Sequence, residues 1–446
     1  MPAPFRLSDL LSNLRRTYQH NLSTFQSQPL AEISGSLGDL GTFLPILIAL
    51  ASSNTQPKQI DLQTTLILTG LYNIATGMLF GIPLPVQPMK AIAAIAIANS
   101  LSRGEVMAAG LFVAGVIGLL SLTGFLELAN RLVPVPVVKG IQIGAGLALV
   151  VAAGGKALVA LTWTGPSWAD NRLWLIVTFM GLLCLNLGRK ASRLPFALIV
   201  TVVGLVFAIA LTVQSRRHLP GVRAWKPTTS VPVGHEWRVG IIDAGLGQLP
   251  LTTLNSVIAV VALASDLLPD LPTPTVSSIG LSVAAMNLVG CWFGCMPTCH
   301  GSGGLAAQHR FGARSGASII FLGMLKLSLG LIFGNSLKGL LDRFPVAFLT
   351  VMVIAAGLEL TAVGESLNSP SRARDLKQEG RNASDVTEQE SKERWTVMLV
   401  TAGLLLASKN DAVGFLAGLC CHYSYQLARR LEHRKDDAEQ QPLIQP

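Results

Sequence analysis

Leu37-Gly38-Asp39-Leu40 returns 209 residues later as Leu246-Gly247-Gln248-Leu249. At the same spacing Pro88-Met89 returns as Pro297-Thr298 and Gly81 as Gly290; at a spacing of 211, Pro134 with Gly146-Leu147 returns as Pro345 with Gly357-Leu358. Three separate landmarks in register mark an internal repeat that divides the chain into halves. About fourteen apolar segments run along the sequence, about seven in each half, several of them shorter than the roughly 20 residues of a full crossing. An odd number per half makes the second half enter the membrane from the opposite side. The expected fold class is therefore an all-α polytopic membrane protein built as a 7+7 inverted repeat.

Composition agrees. Half of the 446 residues are hydrophobic and only 13% are charged, where a soluble domain carries about 25% charge. The 43 glycines and 24 prolines suit membrane helices, in which small residues let backbones approach and breaks are tolerated beside protein-lined cavities. A net charge of +9 raises nucleic acid as a partner, but the basic residues sit in short loops between apolar runs and form no contiguous basic surface. The six cysteines lie in or beside apolar segments, so no disulfide framework is expected.

The expected organisation is a cytosolic amphipathic segment over residues 1–30, a first repeat over 31–213, an inter-repeat loop over 214–240, a second repeat over 241–427 and a cytosolic tail over 428–446. Phe5, Leu7, Leu10, Leu11 and Leu14 share one face of the N-terminal segment, as in a helix lying on a membrane surface, and no signal peptide is read there. Residues 368–394 are charged and without apolar period, which reads as a flexible cytosolic loop whose sequon at Asn382 stays unused. Arg15, Arg16, Arg131, Arg189, Lys190, Arg193, Arg310, Arg314, Arg429 and Arg430 fall on one side, taken as cytosolic. The inter-repeat loop, with Arg216, Arg217, Arg223, Lys226 and Arg238, falls on the other and breaks the rule.

The third and tenth segments, near 88–101 and 297–308, are the shortest and are both led by proline. Short, interrupted spans at matching places in inverted halves point to a transporter's binding site, where two half-helices direct their N-termini at each other. Those ends carry unpaired N–H groups and partial positive charge, which suits an anion. Pro88 and Pro297 are the expected half-helix N-termini, each placed where a missing N–H costs nothing. The candidate binding residues are Asp39, Thr42, Gln87, Lys90, Gln248, Thr298, Cys299, His300 and Gly301. Lys90 fits either a charge partner for a dianion or a lysine snorkelling to the interface. His300 fits an oxyanion donor or a packed, hydrogen-bonded histidine, and Asp39 fits proton or cation coupling or an ion pair with Lys90. Cys291, Cys295 and Cys299, four residues apart and followed by His300, raise a metal site on one helical face; Pro297 interrupts that face, and packing cysteines are the plainer reading. Lys139, Asp243, Lys326, Glu359 and Asp411 are further charges in apolar segments whose spacing names no role. In the tail, Glu439 with Leu443 and Ile444 spells an acidic dileucine pattern of the kind adaptor complexes read in sorting to vacuoles or lysosomes.

Gly38-Asp-Leu-Gly-Thr-Phe-Leu-Pro-Ile46, Pro85-Val-Gln-Pro-Met-Lys90 and the block from Met296 to Gly316 resemble the signature blocks of the molybdate transporter family, related to sulfate permeases. The resemblance spans roughly residues 30–425. It implies a high-affinity molybdate carrier with a core domain rocking against a gate domain. Separately, no cofactor and no catalytic residue is expected. The resemblance supports Gly38, Asp39, Thr42, Gln87, Pro88, Lys90, Pro297, Thr298, Cys299, His300 and Gly301 by position. The expected partners are the molybdate anion, the lipid bilayer and, through the tail motif, sorting adaptors; the same motif favours a vacuolar or other endomembrane, and the oligomeric state is open with a dimer included. Two other readings remain beside it: a sulfate or other oxyanion carrier of the same fold, and a membrane metal protein or enzyme using the Cys/His run.

Overall fold

The computed structural model describes residues 7–51, 59–184, 195–216, 218–369, 375–376 and 386–440. Leu443 and Ile444, Arg189, Lys190, Arg193, Arg217 and the sequon at Asn382 lie outside the described residues, while Glu439 falls in the final helix.

The described chain is helical apart from one two-stranded ribbon. In the first half the helices are α1 (Leu7–Ser27), α2 (Pro29–Ser36), α3 (Leu40–Ala51), α4 (Leu62–Phe80), α5 (Lys90–Asn99), α6 (Arg103–Leu122), α7 (Phe125–Leu132), α8 (Val135–Ala160), α9 (Arg172–Cys184) and α10 (Phe196–Gln214). In the second they are α11 (Gly234–Leu267, with π-helical stretches), α12 (Val276–Gly290), α13 (Ser302–Arg310), α14 (Ala317–Ile332), α15 (Val346–Ala362), α16 (Glu388–Ser408) and α17 (Asp411–Gln440).

Local chemistry sets the ends. Asp61 caps α4 by accepting the Thr64 N–H at 2.7 Å, Thr275 caps α12 through the Ser278 N–H at 3.1 Å, and Ser102 with Glu105 forms a capping box on α6. Gly81 ends α4 in the left-handed region at φ 67°. Its matched residue Gly290 instead continues α12, and the left-handed glycine there is Gly294 at φ 72°, after one 3₁₀ turn. α11 begins at Gly234, earlier than the expected residue 241, because Glu236 turns back to accept the Val233 N–H at 2.8 Å and starts the helix inside the basic loop.

Among the described residues seven helices are long and apolar enough to cross a membrane, or eight if Ala317–Ile332 and Gly334–Leu341, bent by 104°, count as one span. The sequence led to about fourteen. The difference has a physical source: α5, α9 and α13 are short, α4 has its length but buries Gln63, Thr64, Thr65, Thr69, Asn73 and Thr76, and α16 and α17 carry charged ends, Glu388 to Arg394 in one and Arg429 to Glu439 in the other. Leu122, Val159, Ile176, Val202, Val206 and Leu288 stand exposed, the apolar belt of a chain solvated by lipid. This is an integral membrane protein.

The helices pack in a limited set of pairs. α4 runs along α14 and α6 along α12; α8 lies against α15 and α16, and α9 against α15. Gly146 of α8 and Gly357 of α15 approach so closely that a Cβ on either would stand 2.6 Å from the other's carbonyl oxygen. α1 rests on α4 and α14, with Asn21 Nδ2 donating to the Gly77 carbonyl at 2.9 Å.

Candidate functional site

Extended residues bring the two halves together. Strand β1 (Val86–Pro88) pairs antiparallel with β2 (Thr298–His300), placing Val86 opposite His300, Gln87 opposite Cys299 and Pro88 opposite Thr298. The Met89 N–H then donates to the Pro297 carbonyl at 2.9 Å. The starts of α5 and α13 become neighbours although 212 residues separate Lys90 from Ser302. Those helices begin later than expected. Pro88 closes β1 and Pro297 precedes β2, because pairing keeps both segments extended. Pro88 and Pro297 are therefore not helix N-termini.

Two asparagines that the sequence reading passed over hold the ribbon. Asn73 Oδ1 of α4 accepts the Val86 N–H at 2.9 Å. Asn287 of α12 clamps Thr298 on both sides, its Oδ1 accepting the N–H at 2.7 Å and its Nδ2 donating to the carbonyl at 2.5 Å. A buried amide completes a backbone pair that a two-stranded ribbon leaves open. The available signal was an asparagine inside each of two apolar helices.

Strand pleating sends Gln87 and Cys299 to one face and Thr298 and His300 to the other. On the first face Asp39, in the turn between α2 and α3, accepts hydrogen bonds from Thr42 Oγ1 and Gln87 Nε2 through Oδ1. Gln87 Nε2 also reaches Thr42 Oγ1 at 3.1 Å. Asp39 Oδ2 and Gln87 Oε1 are buried without a hydrogen-bond partner among the described residues. Ser256 donates to Cys299 Sγ at 3.3 Å, and Ser302 Oγ donates to Asn255. Lys90 opens α5, and its Nζ lies 3.9 Å from where a Cβ on Gly303 would stand, so the ammonium reaches the first turn of α13. A Cβ on Gly301 would meet Gln87 Oε1 at 1.8 Å; glycine is what lets the glutamine lie over the start of α13.

The two helix starts differ. At α5, Gln248 Oε1 accepts the Ala91 and Ile92 N–H groups at 2.9 and 3.3 Å while its Nε2 donates to Thr252 at 2.9 Å. Gln248 thus caps a helix, and its amide is already satisfied there. At α13 the Gly304 and Leu305 N–H groups turn back to the Gly301 carbonyl, whereas the Ser302 and Gly303 N–H groups have no acceptor among the described residues. Open donors and a lysine therefore meet at one place.

His300 lies on the opposite face with both ring nitrogens occupied, Nε2 at 2.9 Å from Ser282 Oγ and Nδ1 at 3.4 Å from the Pro85 carbonyl, and its ring packs edge-on to Phe80. Thr298 joins it on that face, its Oγ1 buried without a partner. The structure brings together Asp39, Thr42, Gln87, Lys90, Cys299 and Gly301, and sets Gln248 and His300 in supporting roles. The cysteine run shares no helical face: Cys291 stands in a 3₁₀ turn, Cys295 follows left-handed Gly294 and Cys299 is in β2.

A family profile described as "Molybdate transporter of MFS superfamily" matches residues 31–149 and 240–360, the segments that carry every residue of the cluster. Along most of its length the chain is 37% identical to molybdate transporter 2 of Arabidopsis thaliana, covering 89% of this chain and 87% of the relative. The chain belongs to the molybdate transporter family. Molybdate transporter 1 of the same plant is 36% identical over 90% of this chain and 89% of its own length. Family membership makes the protein a membrane carrier, not an enzyme. Among solved structures, murine Slc26a9, described as an anion transporter in the inward-facing state, superimposes with a TM-score of 0.57 at 13% identity, covering 97% of this chain and 73% of that one. That likeness concerns the fold alone, and it is an Slc26-type fold although the family's description mentions the major facilitator superfamily.

Proposed function

We propose that the protein carries molybdate across a membrane by alternating access, the dianion lying on the Gln87–Cys299 face between the starts of α5 and α13. The observation that carries this reading is the ribbon, which sets the Lys90 ammonium beside the open Ser302 and Gly303 amides. An ion held by one ammonium and backbone dipoles stays exchangeable, as transport requires. The plant relatives, both molybdate transporters by name, supply the identity of the ion.

The inverted repeat belongs to the same proposal. Exchanging the halves turns the pair α4–α14 into α12–α6 and the pair α8–α16 into α15–α9, and all four contacts exist. The close contact of Gly146 with Gly357 and the ribbon at Pro88–Met89 against Pro297–Thr298 each turn into themselves. Counting the α2–α3 pair as one segment and leaving out α1 and α7, the helices make fourteen crossing or half-crossing segments. α5 and α13, about 15 Å and shorter by helix rise, each pass through about half of the hydrocarbon layer. On this reading the α4, α6, α12 and α14 group with the two short helices forms the core, and α8–α10 with α15–α17 forms the gate.

Labelled molybdate uptake into vesicles containing the purified protein tests the reading. Uptake should be blocked by unlabelled molybdate and persist in excess sulfate. Uptake of sulfate with none of molybdate would move the protein to the sulfate reading.

A further inference from the structure

Lys326 is a buried cation that the proposed site does not use. It stands in the middle of α14, on the buried stripe Ile319, Leu322, Gly323, Lys326 and Gly330 that packs toward α4. It is only 4% exposed. A lysine near a helix end can extend its ammonium to the interface, but one at mid-helix has no such route. Among the described residues Nζ makes no hydrogen bond, and it lies 3.7 Å from the centroid of the Phe43 ring. Phe43 is one helical turn beyond Asp39, its N–H donating to the Asp39 carbonyl at 3.1 Å. Asp39 has one carboxylate oxygen bonded to Thr42 and Gln87 and the other without a hydrogen bond. Lys326 and Asp39 lie within electrostatic range of each other, and so do Lys90 and Asp39.

A carboxylate beside a site for a dianion is a liability. Uncompensated, Asp39 would repel the ion and draw Lys90 to itself. Lys326 stands over the Phe43 ring, and among the described residues no hydrogen bond commits its charge elsewhere.

We propose that Lys326 is the fixed counter-charge of Asp39, a positioning residue that balances the carboxylate from over the Phe43 ring and so leaves Lys90 to the transported dianion. The inference rests on the molybdate-site reading above. It assigns to α14 a part in ion affinity.

The test is a charge cycle on the full-length protein in vesicles. Lys326→Met should raise the KM for molybdate by about tenfold, within the coupling range of two interacting charges, with the maximal rate kept. Lys326→Arg should stay near the starting value. Asp39→Asn keeps an oxygen to accept from Thr42 and Gln87 while losing the charge, so Lys326→Met with Asp39→Asn should recover most of the lost affinity. A purely packing role for Lys326 gives no such recovery. An unchanged KM in Lys326→Met, or a double variant no better than the single one, overturns the proposal. The same four proteins are melted without substrate, where the double variant should regain stability that the single variant loses. If Lys326→Met does not fold, recovery of folded protein by Asp39→Asn takes the place of the affinity readout, and its failure counts against the proposal. Absence of molybdate uptake by the unmodified protein would refute the site reading, whereas the melting cycle still reads the charge pair.

Discussion

Gly301→Ala should leave a protein that reaches the membrane and transports poorly. The glycine has an ordinary extended backbone, φ −96° and ψ 132°, so alanine brings no conformational strain. The obstacle is contact: the new methyl group would stand 1.8 Å from Gln87 Oε1. Gln87 cannot swing aside without releasing Asp39 and Thr42, which hold its amide. Loss of a hydrogen bond to a charged group costs about 2 kcal/mol, roughly thirtyfold in the ratio of maximal uptake rate to KM. Gly154→Ala is the control, since no atom lies within 4 Å of a Cβ built there, and it should transport normally. Full activity in Gly301→Ala would mean that Gln87 does not need its place over α13.

Lys139→Met should cost more stability than any other single change to a described charge. Lys139 of α8 is 3% exposed, pairs with Asp266 of α11 and donates to Ser366 Oγ at 2.7 Å. It ties three segments distant in sequence, and removing one member of a buried ion pair costs about 3–5 kcal/mol because the other charge stays behind. Adding Asp266→Asn should return much of the loss, since the stranded charge is then gone. Thermal melting of the purified protein reads both effects. A melting temperature unmoved by Lys139→Met would show that the pair holds nothing.

Punctuation by glycine and proline made the fold legible. Gly81, Pro88, Pro297 and the Gly146 and Gly357 landmarks mark places where the chain turns or passes another backbone closely, and such needs restrict the residue locally. What the sequence hid was non-local. The starts of α5 and α13 moved past their prolines because each strand found its partner in the other half. Gln248 looked like a ligand because it matches Asp39 in the repeat, but its oxygen went to the α5 amides. Asn287 and Lys326 act through contacts with β2 and Phe43 that no spacing along their own helices reveals. The start of α11 was misplaced for a simpler reason, since Glu236 and Arg238 made a helical turn look like loop.

The most direct test uses molybdenum itself as a scatterer. Diffraction at its absorption edge, from crystals of the protein grown with molybdate, should give one strong anomalous peak between Lys90 and the Ser302 and Gly303 amides, on the Gln87–Cys299 side of the ribbon. A peak only elsewhere, such as in the cavity of about 480 Å³ that includes Arg131, Arg394 and Arg429, would contradict the account.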